Sequence, residues 1–334
     1  MGMDDTGLQL VKDKRKVETA GKEAGLFFFI LLLIELPVSL VIGIVQNQFG
    51  ARYATLISVL MTQGYLLLAA LLYIRVTHKK FGTDLRVRRY KVSSFFLSLL
   101  LLLAASPMAS WLNVLSQLFA KNETSGAIYD ITQNVPMWLA VLIIGCLPGF
   151  VEETIYRGIL FSAFRKRSVL SGVIISGISF GLMHMNFNQI LYAIYLGIVF
   201  ALLVEATGSL VSTMILHMLF NALNTSYLYL LPKVYEVLGR VSKEYANFNM
   251  EAELAKTPER GQLFTMLEAL APMAVIGVVL MLLILKAIAK INGREFSWEY
   301  LCRKNENSGG PINVWIILGW MFCLAFAFLN LLGG

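Results

Sequence analysis

Long apolar runs separated by short polar clusters dominate this chain. Nine of them, Leu26–Val45, Leu56–Val76, Phe95–Leu115, Trp138–Phe164, Val169–Met185, Ile190–Ala206, Val211–Leu231, Leu270–Ala287 and Val314–Leu332, are about long enough to cross a bilayer as helices. They far exceed strand length and lack the apolar/polar alternation of a membrane barrel, which leaves helices as the predicted element throughout. The expected fold is all-α, a polytopic transmembrane helix bundle of about nine spans. Residues 1–334 form a single membrane domain, with a compact core over 138–231 and an extra-membrane insertion over 232–265, read as an amphipathic piece or a loop.

Composition agrees: 57% of residues are hydrophobic, 15% are charged and the mean hydropathy is +0.69, too apolar for a soluble globule of 334 residues. The net charge of +7 changes meaning in this setting. Lys12, Lys14, Arg15, Lys16 and Lys22 precede the first span. Lys79, Lys80, Arg86, Arg88, Arg89 and Lys91 follow the second, Arg165–Arg167 follow the fourth, and further basic residues lie within 286–304. By parity all fall on one side, and the positive-inside rule makes that side, with the N-terminus, cytoplasmic. The basic residues are orientation signals in contact with anionic lipid, so no nucleic-acid partner is expected. A multi-pass protein of the cell membrane is expected if the source is bacterial. The first apolar run lacks a small-residue cleavage pattern and reads as a retained helix. Met1–Thr6 fits a loose myristoylation pattern, and Asn122–Thr124 and Asn224–Ser226 read as glycosylation sequons; none is given a consequence. Cys146, Cys302 and Cys323 have no C-x-x-C spacing and read as packing residues.

Ionisable groups inside the spans carry the chemistry, because burial there is costly enough that function is the default reading. Glu152, Glu153 and Arg157 form E-E-x-x-x-R; Phe180 and His184 form F-x-x-x-H; His217 and Asn221 form H-x-x-x-N. On a helix Glu153 and Arg157 share a face and neutralise each other, while Glu152 points about 100° away. The paired residues therefore read as a supporting ion pair and Glu152 as the reactive carboxylate. Pro148 and Gly149 just upstream predict a distorted helix. Counting ~1.5 Å per residue from the basic ends puts Glu152, His184 and Asn221 at roughly 15 to 22 Å depth, with His217 shallower at roughly 9 Å. Phe180 reads as a packing residue that positions His184. Glu35 in the first span is a second intramembrane carboxylate that snorkels, pairs or lines a cavity.

The three motifs, in this order along apolar segments, resemble the CPBP family, which contains the CAAX prenyl endopeptidases and bacterial relatives linked to bacteriocin and signalling peptides. The resemblance implies a glutamate-type intramembrane endopeptidase acting on a membrane-associated peptide or protein. Glu152 and His184 would activate a water, and His217 with Asn221 would stabilise the oxyanion, in a polar cavity between the fourth, fifth and seventh spans. No cofactor is expected on this reading. Two alternatives stand beside it: a zinc peptidase with Glu152, His184 and His217 as ligands and Glu153 as base, and a proton-coupled transporter using the same residues as a relay. The first lacks an H-E-x-x-H motif, and the second lacks an inverted repeat.

Overall fold

The computed structural model describes residues 5–49, 53–122, 124–243, 245, 247–305 and 313–333, with side chains from residue 17 onward. The Met1–Thr6 pattern in its first four residues, the side chains of Lys12–Lys16 and the middle of the Asn122 sequon lie outside that set. Among the described residues every regular element is a helix. In chain order these are α1 (Asp5–Phe49), α2 (Ala54–Val76), α3 (Val92–Ser116), α4 (Thr124–Thr132), α5 (Met137–Phe164) and α6 (Val169–Leu182). They continue with α7 (Phe187–Thr207), α8 (Leu210–Val241), α9 (Met250–Ala255), α10 (Arg260–Ile291), α11 (Trp298–Cys302) and α12 (Val314–Gly333).

Eight of the nine expected spans lie within one of these helices and the fifth runs past the end of its own, and the count of nine is not reproduced. Seven of the helices (α1, α2, α3, α5, α7, α10 and α12) are long and apolar enough to cross a membrane. The fifth predicted span shrinks to the 14 residues of α6, short of the ~20 that a bilayer needs. The seventh lies in the 32-residue α8, whose polar residues, His217, Asn221 and Asn224 among them, keep its hydropathy below that of its neighbours. Residues 232–265 are helical at both ends, where α8 runs through Pro232 to Val241 and α10 begins at Arg260, with the short α9 between them. A bilayer tolerates such internal prolines where neighbouring groups satisfy the freed backbone.

Small residues set the tightest crossings, as expected where lipid removes any hydrophobic drive between helices. α6 and α7 meet at Gly177 and Gly197, where a Cβ on Gly197 would lie 2.9 Å from Gly177 Cα. α5 meets α8 at Gly145 and Gly149; a Cβ on Gly149 would lie 2.8 Å from Met218 N and 2.7 Å from its Cγ. The second contact brings α5 and α8, two of the helices that carry the motifs, to backbone distance.

At one end of the bundle the basic segments converge on Glu205, near the end of α7 and fully buried. Its carboxylate pairs with Arg86 (3.1 Å), Arg165 (2.5 Å) and Arg294 (2.9 Å) and accepts the Tyr300 hydroxyl (2.6 Å). Arg294 Nε also donates to the Glu205 carbonyl. Segments that follow α2, α5 and α10 are thus tied to one residue. This agrees with the parity that put 78–91, 165–167 and 286–304 on one side. Burial beside Arg165 and Arg294 pulls the Arg86 guanidinium below its usual range, while the Glu205 carboxylate pulls it back.

Candidate active site

α5 is not a uniform helix. Two π-helical stretches, Val141–Cys146 and Thr154–Phe161, bracket the α-helical Leu147–Glu153. Widened turns of this kind concentrate at functional sites because they re-aim side chains. Here they flank Glu152 and Glu153, in the distorted region that Pro148 and Gly149 predicted.

The two carboxylates have separate environments. Glu153 is fully buried and its Oε1 accepts from Arg157 (2.8 Å) and from His217 Nδ1 (3.0 Å). Arg157, also fully buried, donates a second bond to the Gly197 carbonyl (3.2 Å). Its guanidinium lies 4.4 Å from the Phe180 ring centroid and 5.4 Å from that of Phe200. The i, i+4 pair expected from sequence is present, and His217 joins it. Glu152 retains 17% side-chain exposure; its Oε2 faces His217 Nε2 at 3.9 Å. Its Oε1 accepts from the Gln63 amide on α2 (2.9 Å), a partner 89 residues away that the sequence did not suggest.

His217 therefore sits between both carboxylates, where helix counting had left it too shallow. The start of α8 at Leu210 is close to the expected Val211, so an earlier start is not the reason. π-helical turns hold more residues per turn, so the eight residues Thr154–Phe161 bring Glu152 nearer the basic end than α-helical counting allows. The Gly149 contact then fixes α8 against α5 beside His217.

His184 lies in the turn just past α6 rather than within it. Its Nδ1–H donates to the Phe180 carbonyl (2.9 Å), which leaves Nε2 as the open ring nitrogen. Met185 follows with φ 48°, in the left-handed region, and its carbonyl accepts from Asn330 on α12 (3.0 Å). Phe180 does more than position His184. It meets the rings of His184 (5.2 Å), His217 (5.7 Å) and Tyr156 (5.2 Å) edge to face. No hydrogen bond or ion pair joins His184 to Glu152; Phe180 lies between the His184 and His217 rings. Asn221, one turn past His217 and half-buried, makes no hydrogen bond within the described residues.

Glu35 is paired: it accepts a hydrogen bond from Tyr65, on the same helix as Gln63. The cysteines are free, as their spacing suggested. Among the described residues no three His, Cys, Asp or Glu side chains gather as a metal-binding group, Glu152, His184 and His217 included. The motif residues form a side-chain cluster between α5, α6 and α8. A cavity of about 580 Å³ lies elsewhere, between α4 and the 251–258 segment, lined by Lys121, Tyr129, Asp130 and Glu251 among others.

The segment that holds this cluster is similar to known proteins. Residues 133–223 match the Rce1-like family, described as type II CAAX prenyl endopeptidase Rce1-like. The chain is also 28% identical over 102 residues to the Bacillus subtilis (strain 168) protein named "Putative membrane peptidase YdiL". That alignment covers 30% of this chain and 41% of the relative, so the two share well under half of the relative's length. No solved structure matches. The matched segment holds Glu152, Glu153, Arg157, Phe180, His184, His217 and Asn221 together, so all three motifs lie in the part of the chain that is similar to the Rce1-like family.

Proposed function

We propose that this protein is an intramembrane endopeptidase that hydrolyses a peptide bond in a membrane-associated peptide or protein. One observation carries the reading: Glu152, the more exposed of two adjacent carboxylates, faces an imidazole that the other carboxylate holds, within an Rce1-like segment. In the proposed reaction Glu152 takes a proton from water as the water oxygen adds to the carbonyl carbon, and then returns it to the amine leaving group. His184, whose Nδ1–H is committed to Phe180, offers the Nε2 lone pair to the same water. His217 donates to the oxyanion through Nε2 in its imidazolium form, with Nδ1–H held by Glu153. Asn221, without a partner of its own, supplies a second donor. Glu153, Arg157 and Phe180 support the site and take no part in bond making.

The reading uses no metal, and it places the N-terminus and the Glu205 cluster on the cytoplasmic side of the cell membrane. The decisive experiment compares protein termini by mass spectrometry in membrane and secreted fractions from cells with wild-type or Glu152→Ala protein at matched expression. Termini that depend on Glu152 nominate substrates, and purified protein is then tested on them with and without a chelator. Cleavage is expected to survive chelation. If Glu152→Ala changes a cellular phenotype while no terminus depends on it, the proton-relay reading takes the lead.

A further inference from the structure

We infer that Gln63 is a positioning residue for Glu152, so that α2, outside the Rce1-like segment, supplies an essential part of the site; this inference rests on the peptidase reading above. Gln63 is 7% exposed and lies on an apolar helix. Its amide donates to Glu152 Oε1 at 2.9 Å, while its own carbonyl oxygen is buried without a partner. A buried amide with one end unsatisfied costs stability, where an apolar side chain of the same shape costs none. Such a residue is kept for something other than packing.

The chemistry proposed for Glu152 gives the amide a use in both halves of the cycle. As a carboxylate, Glu152 needs a donor that fixes one oxygen and leaves the other, Oε2, facing His217 and the water. Gln63 Nε2 is placed to do this. Once Glu152 has taken the water proton it becomes a donor itself, and the same amide, turned over, presents the carbonyl that now lacks a partner. A lysine or serine at this position would serve only one state or fail to reach. Tyr156, one turn beyond Glu152, adds a buried hydroxyl without a partner, 1% exposed, within electrostatic reach of Glu152. The reacting carboxylate is thus flanked by two buried polar groups with unused hydrogen-bonding capacity.

The test uses the full chain purified in lipid nanodiscs and an internally quenched peptide spanning a junction found in the termini comparison. Gln63→Met keeps length and apolar packing and removes the amide. It is expected to lower kcat about 10- to 100-fold, the scale of a slightly misplaced catalytic group. KM is expected to stay within about twofold, since only the reacting carboxylate is affected. The melting temperature is expected to hold or rise. On a Glu152→Ala background the same change should have no further effect, because the group it positions is gone. Gln63→Leu repeats the measurement if the methionine variant fails to fold. Full kcat in a folded Gln63 variant, with Glu152→Ala inactive, overturns this inference and leaves the peptidase reading intact. So does a kcat loss that follows a fall in melting temperature. Wild-type turnover by Glu152→Ala overturns both.

Discussion

Glu153 shares Oε1 between Arg157 and His217, and this sharing separates the variants expected to unfold the protein from those expected only to silence it. Arg157→Ala leaves a fully buried carboxylate without its cation, a change that costs about 3 to 5 kcal/mol in comparable sites. Loss of folded protein in detergent size-exclusion profiles is the expected result. Arg157→Lys recovers little, since one ammonium cannot bond Glu153 and the Gly197 carbonyl and also lie flat on Phe180. Glu152→Gln, by contrast, keeps the shape of a mostly buried side chain and is expected to retain the melting temperature while turnover falls by about 10² to 10⁴. Asn221→Ala should cost about 10² to 10³ in kcat with unchanged folding, as for a lost oxyanion donor. The separate surroundings of Glu152 and Glu153 were legible in the sequence because they follow from helical angle and an i, i+4 cation. His217 as the partner of Glu153, and Gln63 as the partner of Glu152, were not. Both depend on which helices touch and at what height, and periodicity within one helix carries no such information.

At the scale of elements, the site depends on two local departures from regular helix. The first is the contact of α5 with α8. Gly149→Ala would put a methyl carbon 2.8 Å from a backbone nitrogen that cannot swing aside, so α8 must move away and carry His217 with it. An overpacking cost of about 1 to 3 kcal/mol is expected, with at least a hundredfold loss of kcat; matched melting and turnover measurements check both. The second is the turn after α6. Met185 holds φ 48°, a conformation that costs a non-glycine residue about 1 kcal/mol or more, directly beside His184. Met185→Asn tolerates this backbone and is expected to raise stability by several tenths of a kcal/mol without loss of turnover. The sequence located the long helices because apolar run length is a strong signal in lipid, but it stopped the seventh run short of the end of α8 and began the eighth short of the start of α10. It overextended the fifth span, since nothing in L-M-H-M-N announces that Leu182 is the last helical residue. The π turns of α5 were foreshadowed by Pro148 and Gly149 only as distortion, without register, so the height of Glu152 against His217 was not legible.

At the scale of the whole molecule, Glu205 draws Arg86, Arg165, Arg294 and Tyr300 into one cluster. A sequence signal for it existed: an acid near the end of an apolar run, with Ala201 and Ser209 rather than a cation one turn away, must find its partner in another segment. Glu205→Ala would leave three crowded guanidinium groups without their counter-charge, and a loss of about 3 kcal/mol or more is expected in thermal melts. The same cluster has a consequence for biogenesis. As the chain emerges from the ribosome, Glu205 finds Arg86 and Arg165 already made, but Arg294 and Tyr300 are about ninety residues away, beyond the whole of α10. Until that helix has been threaded, one end of α7 is incompletely closed, and α7 is the helix whose Gly197 carbonyl holds Arg157. A nascent protein with its motifs complete would therefore stay loosely assembled until α10 and the segment after it have been made, so the site closes well after its motifs have been synthesised.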